Sequence, residues 1–196
     1  MSLDDELSDL LIISLEQAVA APYCGLLLAS AGARVIKVER PEGDFARSYD
    51  NSINGKSAIF AWLNRGKESI SLDLKNKTDK KIFKNMIKKA DVFLSNLTPG
   101  SLEKLELDYK QVKALNPKLI FCEITGYGNS KLAHSKKAYD FLIQAESGLC
   151  SVTGTEKYPS KVGISITDLS TDSELPVPSL SILKCSSRSK VSGFST

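Results

Sequence analysis

LLIISLEQAVAAPYCGLLLASAGARVIKVER, residues 10–40, contains the clearest structural pattern in this chain. Residues 10–15 form an apolar run of strand length, and Pro22 suits the first turn of a helix that would stop at Gly32. Residues 34–39 alternate charged and apolar side chains and predict a second strand. A strand, a helix and a strand in this order predict parallel pairing with a right-handed crossover. Units of this kind bind ligands at the carboxyl ends of their strands.

The loop after the first predicted strand indicates which ligand this unit can take. A dinucleotide site needs glycines there so that the backbone can approach a pyrophosphate, and this chain has EQAVA at residues 16–20 instead. Glu39 could hold a ribose hydroxyl, but the missing glycines disfavour a nicotinamide or flavin site. Arg40 suits a phosphate, because a guanidinium can pair with two phosphate oxygens. Taken alone, Arg40 is a solvated charge at a strand end.

The rest of the chain continues the alternation of strands and helices. Further strands are predicted at residues 69–74, 91–97, 118–125 and 162–166, the last of them ending at Asp168. Helices are predicted after a cap at Thr78, in two short segments within 102–115, and over 138–149. Residues 57–63 fit either a strand or a helix. The pattern predicts an α/β fold, with a Rossmann-like, largely parallel sheet flanked by helices.

The chain divides into a domain and a tail. Residues 1–172 carry the α/β pattern, whereas the serine-rich residues 173–196 have no sustained period and are expected to be an irregular tail. Of the 196 residues 42% are hydrophobic, which is enough to bury a core in one domain. The four cysteines, Cys24, Cys122, Cys150 and Cys185, lack metal-ligand spacing, so we expect reduced thiols and no metal.

Charge and hydropathy exclude some partners. The net charge is only +3, and the lysines are spread along the chain without arginine–aromatic clusters, so nucleic acid is not an expected partner. No apolar run approaches the length of a membrane span, and the acidic residues 1–9 are unlike a signal peptide. These features predict a cytoplasmic protein without a membrane partner.

Several motifs, in one order, resemble those of the family III CoA transferases, which include formyl-CoA transferase, carnitine CoA transferase and, as a divergent branch, alpha-methylacyl-CoA racemase. The resemblance covers residues 10–171, which is the N-terminal part of such an enzyme. Its motifs lie at residues 20–25, 35–40, 43–47, 63–69, 72–75, 90–92, 96–100, 124–128, 137–140 and 163–168.

The resemblance implies a covalent acyl exchange at Asp168, the position that matches the family's nucleophile. Its carboxylate would attack an acyl-CoA to give a mixed anhydride and then an aspartyl-CoA thioester, from which a free carboxylic acid takes the CoA. Small dicarboxylic or related acids are plausible partners. Without the motif around it, Asp168 is a strand-end or helix-capping aspartate.

The resemblance also implies a set of coenzyme A contacts, which suit a ligand that carries phosphates. The matching positions are Val19, Ala20, Arg40, Leu72, Asp73, Leu74, Lys75, Asn96, Leu97, Thr98, Lys104, Lys137, Ala138, Tyr139 and Asp140. Lys104 stands where formyl-CoA transferase has an arginine. Each lysine alone would be a solvated surface charge, and only their common placement at strand ends favours a CoA cleft.

Two alternatives differ from the transferase interpretation. The racemase branch uses a histidine base where this chain has Tyr139, and a tyrosine of pKa about 10 is a poor base at neutral pH. His134, the only histidine, lies in a polar loop and is expected to be exposed. The other alternative is a non-catalytic CoA-binding fragment, because family members continue past the aspartate into a second domain and form interlocked homodimers. We expect a frameshift or truncation near Thr171, which makes such a dimer doubtful for this chain.

Overall fold

Five parallel strands form the centre of the fold, in a computed structural model that describes residues 6–128 and 136–170. The sheet order is β3-β2-β1-β4-β5, and every neighbouring pair is parallel. The strands are β1 (Leu11–Leu15), β2 (Arg34–Glu39), β3 (Glu68–Ser71), β4 (Val92–Ser95) and β5 (Ile120–Glu123). His134, Cys185 and the predicted tail lie outside the described residues.

Helices connect the strands and cover both faces of the sheet. They are α1 (Ala20–Ser30), a 3-10 helix (Phe45–Ser48), α2 (Ala58–Leu63), α3 (Lys77–Ile87), α4 (Ser101–Lys104), α5 (Tyr109–Leu115), α6 (Asp140–Glu146), α7 (Leu149–Val152) and α8 (Ile166–Ser170). The predicted α/β fold with a parallel sheet is therefore confirmed. Among the described residues, no helix has both the length and the apolar character that a membrane crossing requires.

Two apolar clusters hold the helices to the sheet. Successive strand residues point to opposite faces, so Ile12 and Ile13 of β1 enter different clusters. Ile12 packs on the side that contains Leu28 of α1, and Ile13 packs on the side that contains Phe83 of α3. Phe93 of β4 meets Phe83 edge to face, with ring centroids 5.8 Å apart. Burial on both faces explains the nearly continuous apolar character of β1 and β4.

Helix caps resolve two points that the sequence left open or assigned wrongly. Residues 57–63 enter α2, because Ser57 precedes it and its hydroxyl accepts a hydrogen bond from the Phe60 amide at 3.1 Å. Asn76, and not Thr78, caps α3. The Asn76 side chain accepts from the Thr78 amide at 2.7 Å, so Thr78 already lies within the helix.

The strand predicted at residues 162–166 was wrong. The segment is irregular and leads into α8, which contains Asp168. Its backbone amides bond to side chains of α6 and not to a neighbouring strand: Val162 donates to Gln144 at 2.8 Å, and Thr167 donates to Asp140 at 2.9 Å. Ile164, which the strand pattern would have buried, is 57% exposed.

Candidate functional site

A cavity of about 400 Å³ lies at the carboxyl ends of β1 and β4. The strand order reverses between these two strands, so the loops that follow them leave a crevice where open α/β sheets bind ligands. Loops after β1, β4 and β5 line it, together with Phe45, Tyr49, the segment before α6 and residues of α8. We call it the switch-point cavity.

Ten of the sixteen residues that the sequence singled out line the switch-point cavity. They are Val19, Ala20, Asn96, Leu97, Thr98, Lys137, Ala138, Tyr139, Asp140 and Asp168. They come from four separate parts of the chain, and the parallel sheet brings them to one edge. Gln17, Phe45 and Tyr49 also line the cavity, although the sequence did not single them out as ligand contacts.

The other six residues do not line the cavity. The side chains of Leu72 and Leu74 belong to the apolar core, so any ligand contact there would involve backbone atoms. Arg40 is exposed, and its Nε donates to the Gly43 carbonyl at 2.9 Å. The remaining three, Asp73, Lys75 and Lys104, lie after β3 or at the end of α4, outside the lining residues.

The first turn of α1 opens onto the cavity. Val19 stands at the N-cap and offers no side-chain oxygen to the first-turn amides. The preceding residue, Ala18, has a φ of +64°, in the left-handed region that side chains with a Cβ rarely adopt. Amides at a helix start carry partial positive charge and favour an anion, so this end of the cavity suits a phosphate or carboxylate.

A pair of reciprocal hydrogen bonds joins the loops after β1 and β4. The Gln17 amide donates to Asn96 Oδ1 at 2.9 Å, and Asn96 Nδ2 donates to the Gln17 carbonyl at 2.8 Å. One strand position earlier, the Ser95 hydroxyl donates to the Leu15 carbonyl at 3.0 Å. These bonds fix the width of the crevice, because they connect the two strands between which it opens.

Two side chains of α6 hold the segment that carries Asp168. Asp140 Oδ1 accepts from the Thr167 amide at 2.9 Å and from the Thr167 hydroxyl at 2.6 Å. Gln144 is fully buried, donates to Asp140 Oδ2 at 2.7 Å and accepts from the Val162 amide at 2.8 Å. The start of α8 is therefore attached to α6 through Asp140 and Gln144, which places Asp168 at the cavity.

The two carboxylates at this end of the cavity differ in pKa. Burial, and then the negative charge of Asp140, raise the pKa of Asp168 to about 6. Burial also acts to raise the pKa of Asp140, but hydrogen bonds from Thr167 and Gln144 outweigh it and leave that pKa below its usual value. Asp168 is therefore the more basic carboxylate of the pair.

Behind the cavity lies a buried charge cluster, which consists of Glu16, Lys37, Asp44, Asn64 and Lys67. Lys37 Nζ is 2.7 Å from Asp44 Oδ2, and Lys67 Nζ is 2.6 Å from Glu16 Oε1. All four charged side chains are about 1% exposed or less. Asn64 Oδ1 accepts from both ammonium groups, at 3.1 and 3.2 Å. Two cations balance two anions, which a buried site requires.

Glu39, considered above as a ribose ligand, is already engaged by the protein. Its carboxylate accepts from Arg47 Nη2 at 2.7 Å, from the Ser69 hydroxyl at 2.7 Å and from the Asp44 amide at 3.0 Å. Burial acts to raise its pKa, but these bonds dominate and bring the pKa to about 2. The carboxylate is buried at the end of β2 and bonded to the protein, which leaves it unsuited to hold a ribose.

Gly126 allows the segment before α6 to lie against the end of β5. A Cβ at this position would collide with the Ala138 Cβ, and would lie 3.4 Å from Ile143 Cδ1. Ala138, Tyr139 and Lys137 line the cavity from this segment. The glycine therefore determines how far this side of the cavity stands from the sheet.

Metal ligation is not evident in the structure. The described parts of the chain, 6–128 and 136–170, contain no group of three or more His, Cys, Asp or Glu side chains that could hold a metal ion.

Comparisons with known proteins agree with this architecture. The chain is 40% identical over 164 residues to the acetyl-CoA:oxalate CoA-transferase of Acetobacter aceti. This match covers 82% of this chain and 42% of that protein. It is 38% identical over 175 residues to the succinate–glutarate CoA-transferase of Agrobacterium fabrum, covering 84% of this chain and 44% of that protein. A crystal structure of a CAIB/BAIF family protein from Brucella suis matches with a TM-score of 0.84 and 34% identity.

The chain matches only part of the length of each of these proteins. The Brucella suis match covers 94% of this chain and 50% of that chain. The chain spans less than half of the length of the two curated relatives named above. Residues 7–173 match CoA-transferase family III, so the chain belongs to that family.

Proposed function

We propose that residues 1–172 form the CoA-binding and catalytic domain of a CoA-transferase that moves CoA from an acyl-CoA to a carboxylic acid. The single observation that carries the proposal is the position of Asp168. It lies in the switch-point cavity, which Tyr139 and Lys137 also line, and its pKa is raised to about 6. A carboxylate that is ionised at neutral pH but more basic than usual suits nucleophilic attack.

The reaction is a double displacement at Asp168. Its carboxylate attacks the thioester carbonyl of the donor, the carbon–sulfur bond breaks, and CoA leaves as a thiolate from a mixed anhydride. The thiolate then attacks the aspartyl carbonyl, releases the donor acid as a carboxylate and leaves an aspartyl-CoA thioester. An acceptor carboxylate repeats the two steps in reverse order, which regenerates Asp168. No proton needs to be gained or lost overall.

The cavity has the features that CoA and its thioester require. The amides at the start of α1 suit a phosphate, and Lys137 is one of the residues that line the cavity. Polar groups from Asn96 and Thr98 face the same space. The thioester would lie toward Asp168, so that the nucleotide extends away from α8. Arg40, Leu72, Asp73, Leu74, Lys75 and Lys104 would contact it only beyond the cavity itself.

The acceptor is proposed to be a small dicarboxylic acid. The names of the two relatives given above include oxalate, succinate and glutarate, and the cation of Lys137 would favour an anionic acceptor, whereas the ammonium group of Lys136 is paired with Glu146 at 3.1 Å. Tyr139 lies in the cavity with 62% of its surface exposed, where the racemase branch would need a histidine base. Proton abstraction by a phenol is unfavourable at neutral pH, so transfer is the better proposal.

A transfer assay tests the proposal. The purified chain is mixed with acetyl-CoA or succinyl-CoA and with oxalate, succinate or glutarate, and new acyl-CoA masses are followed. We expect transfer that rises with pH through about 6, as Asp168 ionises, and that is lost in Asp168→Asn. CoA binding without transfer for any pair would identify a non-catalytic CoA-binding fragment. If the chain shows no CoA binding and no transfer, the proposal is refuted.

A further inference from the structure

Asp44 connects two walls of the switch-point cavity without lining it. Its Oδ1 accepts from the Ala18 amide at 3.2 Å and from the Ala46 amide at 2.9 Å. Ala18 leads into the first turn of α1, and Ala46 belongs to the 3-10 helix that places Phe45 and Tyr49 in the cavity. One carboxylate oxygen thus fixes two backbone segments that are 28 positions apart in the sequence.

The backbone at Ala18 gives this contact a specific role. A φ of +64° is unfavourable for alanine, so the left-handed turn before α1 needs a partner that stabilises it. The bond from the Ala18 amide to Asp44 is such a partner. Without it, the turn could relax, and the uncapped amides of the first turn of α1 would no longer be held toward the cavity.

Lys37 makes it possible to bury the Asp44 carboxylate. Its Nζ lies 2.7 Å from Asp44 Oδ2, and both side chains are 1% exposed. The oxygen that bonds the two backbone amides is therefore distinct from the oxygen that faces the ammonium group. Lys67 and Glu16 form the neighbouring pair, so the cluster stays balanced.

We infer that Asp44 is a positioning residue for CoA, which acts through the Ala18 and Ala46 amides while its other oxygen is paired with Lys37 in the interior. This inference rests on the proposed function, because it concerns the affinity of the same cavity for CoA. It assigns separate roles to the two oxygens of Asp44. Oδ1 shapes the cavity, while Oδ2 neutralises Lys37.

The experiment separates the two roles with double variants that contain Lys37→Met, so that no buried cation is left unpaired. Asp44→Asn/Lys37→Met keeps an oxygen that accepts from both amides, whereas Asp44→Ala/Lys37→Met does not. Free CoA is titrated into each double variant by calorimetry. We expect the alanine double variant to bind CoA at least tenfold more weakly than the asparagine double variant. Equal dissociation constants would overturn the inference.

Asp50 provides the matched control. It accepts from the amides of Ser52 and Ala58, at 2.9 Å each, and it does not line the cavity. Asp50→Ala should lower the melting temperature and leave CoA affinity within about twofold of the unsubstituted chain. If Asp50→Ala weakens CoA binding as much as Asp44→Ala/Lys37→Met does, loss of stability explains the weaker binding in both variants. The inferred positioning role of Asp44 is then wrong.

A second measurement distinguishes failure of this inference from failure of the proposed function. If the unsubstituted chain does not bind CoA, the proposed function fails, and amide hydrogen exchange then decides the role of Asp44. The amides of Ala18 and Ala46 should exchange at least tenfold faster in the alanine double variant than in the asparagine double variant. Equal exchange rates would contradict the inference.

Discussion

Asp168 has its pKa raised because it is largely removed from water beside another carboxylate, and this has a consequence for stability. A folded-state pKa of about 6, against a usual 3.8, means that the folded chain holds the proton more tightly than the unfolded chain. The folded state is therefore destabilised as pH rises between these two values. The destabilisation is complete above the folded pKa and absent below the unfolded one.

Asp168→Asn should consequently stabilise the fold at pH 7.5. The shift corresponds to about 3 kcal/mol at most, and partial exposure to solvent reduces the expected gain to about 1–2 kcal/mol. The gain should shrink to a few tenths of a kcal/mol near pH 3.5, where the wild-type carboxyl is mostly protonated in both states. Urea unfolding followed by circular dichroism at both pH values measures the difference.

Asp50→Asn is a control, because its expected change in folding stability at pH 7.5 is opposite to that of Asp168→Asn. Hydrogen bonds from Ala58 and Ser52 hold the pKa of Asp50 below its usual value, so its ionised form stabilises the folded chain at neutral pH and loses this effect in acid. Asp50→Asn should therefore destabilise the chain at pH 7.5. A loss of stability in Asp168→Asn at the same pH would contradict the raised pKa.

At the scale of elements, the contact between the end of β5 and the segment before α6 determines one side of the cavity. Gly126→Ala places a Cβ against the Ala138 Cβ, and overpacking of this kind costs about 1–3 kcal/mol. The segment with Lys137 and Tyr139 must shift, so we expect CoA binding to weaken by about tenfold. Calorimetric titration with CoA measures this change.

The chain offers both a control and a rescue for this substitution. Gly163→Ala meets no atom within 4 Å, so it should leave CoA affinity unchanged. Ala138→Gly, added to Gly126→Ala, removes the Cβ with which the new methyl group collides and should restore most of the affinity. Failure of this rescue, with the double variant folded, would show that the collision is not the cause.

The elements also show which parts of the structure the sequence could predict. β1, α1 and β2 were predicted because their periodicity and turn residues are local. The helical position of Asp168 was missed because the amides of Val162 and Thr167 bond to Gln144 and Asp140, which are 18 and 27 residues away in the sequence. An alternating apolar pattern cannot reveal a bond of that kind.

At the site, the sequence pattern likewise cannot reveal contacts between charged residues that are distant in the chain. Lys37 and Lys67, to which the sequence assigned no separate role, are buried against Asp44 and Glu16. Only the fold brings these positions together, because Glu16 follows β1, Lys37 and Asp44 lie within and after β2, and Lys67 directly precedes β3. Nine predicted contacts and Asp168 line the cavity, but they were singled out through the family motifs, since no single residue there has a diagnostic type.

At the scale of the whole molecule, the parallel sheet brings residues from distant segments of the chain together around the switch-point cavity. The loops after β1 and β4 form the crevice, the buried charge cluster supports the α1 side, and α6 supports Asp168. Under the proposed function, this cavity places an acyl-CoA thioester against the Asp168 carboxylate. The claim requires a covalent intermediate on that one side chain.

Mass spectrometry of the intact chain mixed with succinyl-CoA, followed by peptide mapping, tests that claim most directly. We predict a CoA adduct on Asp168, absent in Asp168→Asn although that variant still binds free CoA, and stronger at pH 7.5 than at pH 5 because the carboxylate must be ionised. An adduct on another residue, or bound CoA with no adduct at any pH, would contradict the account.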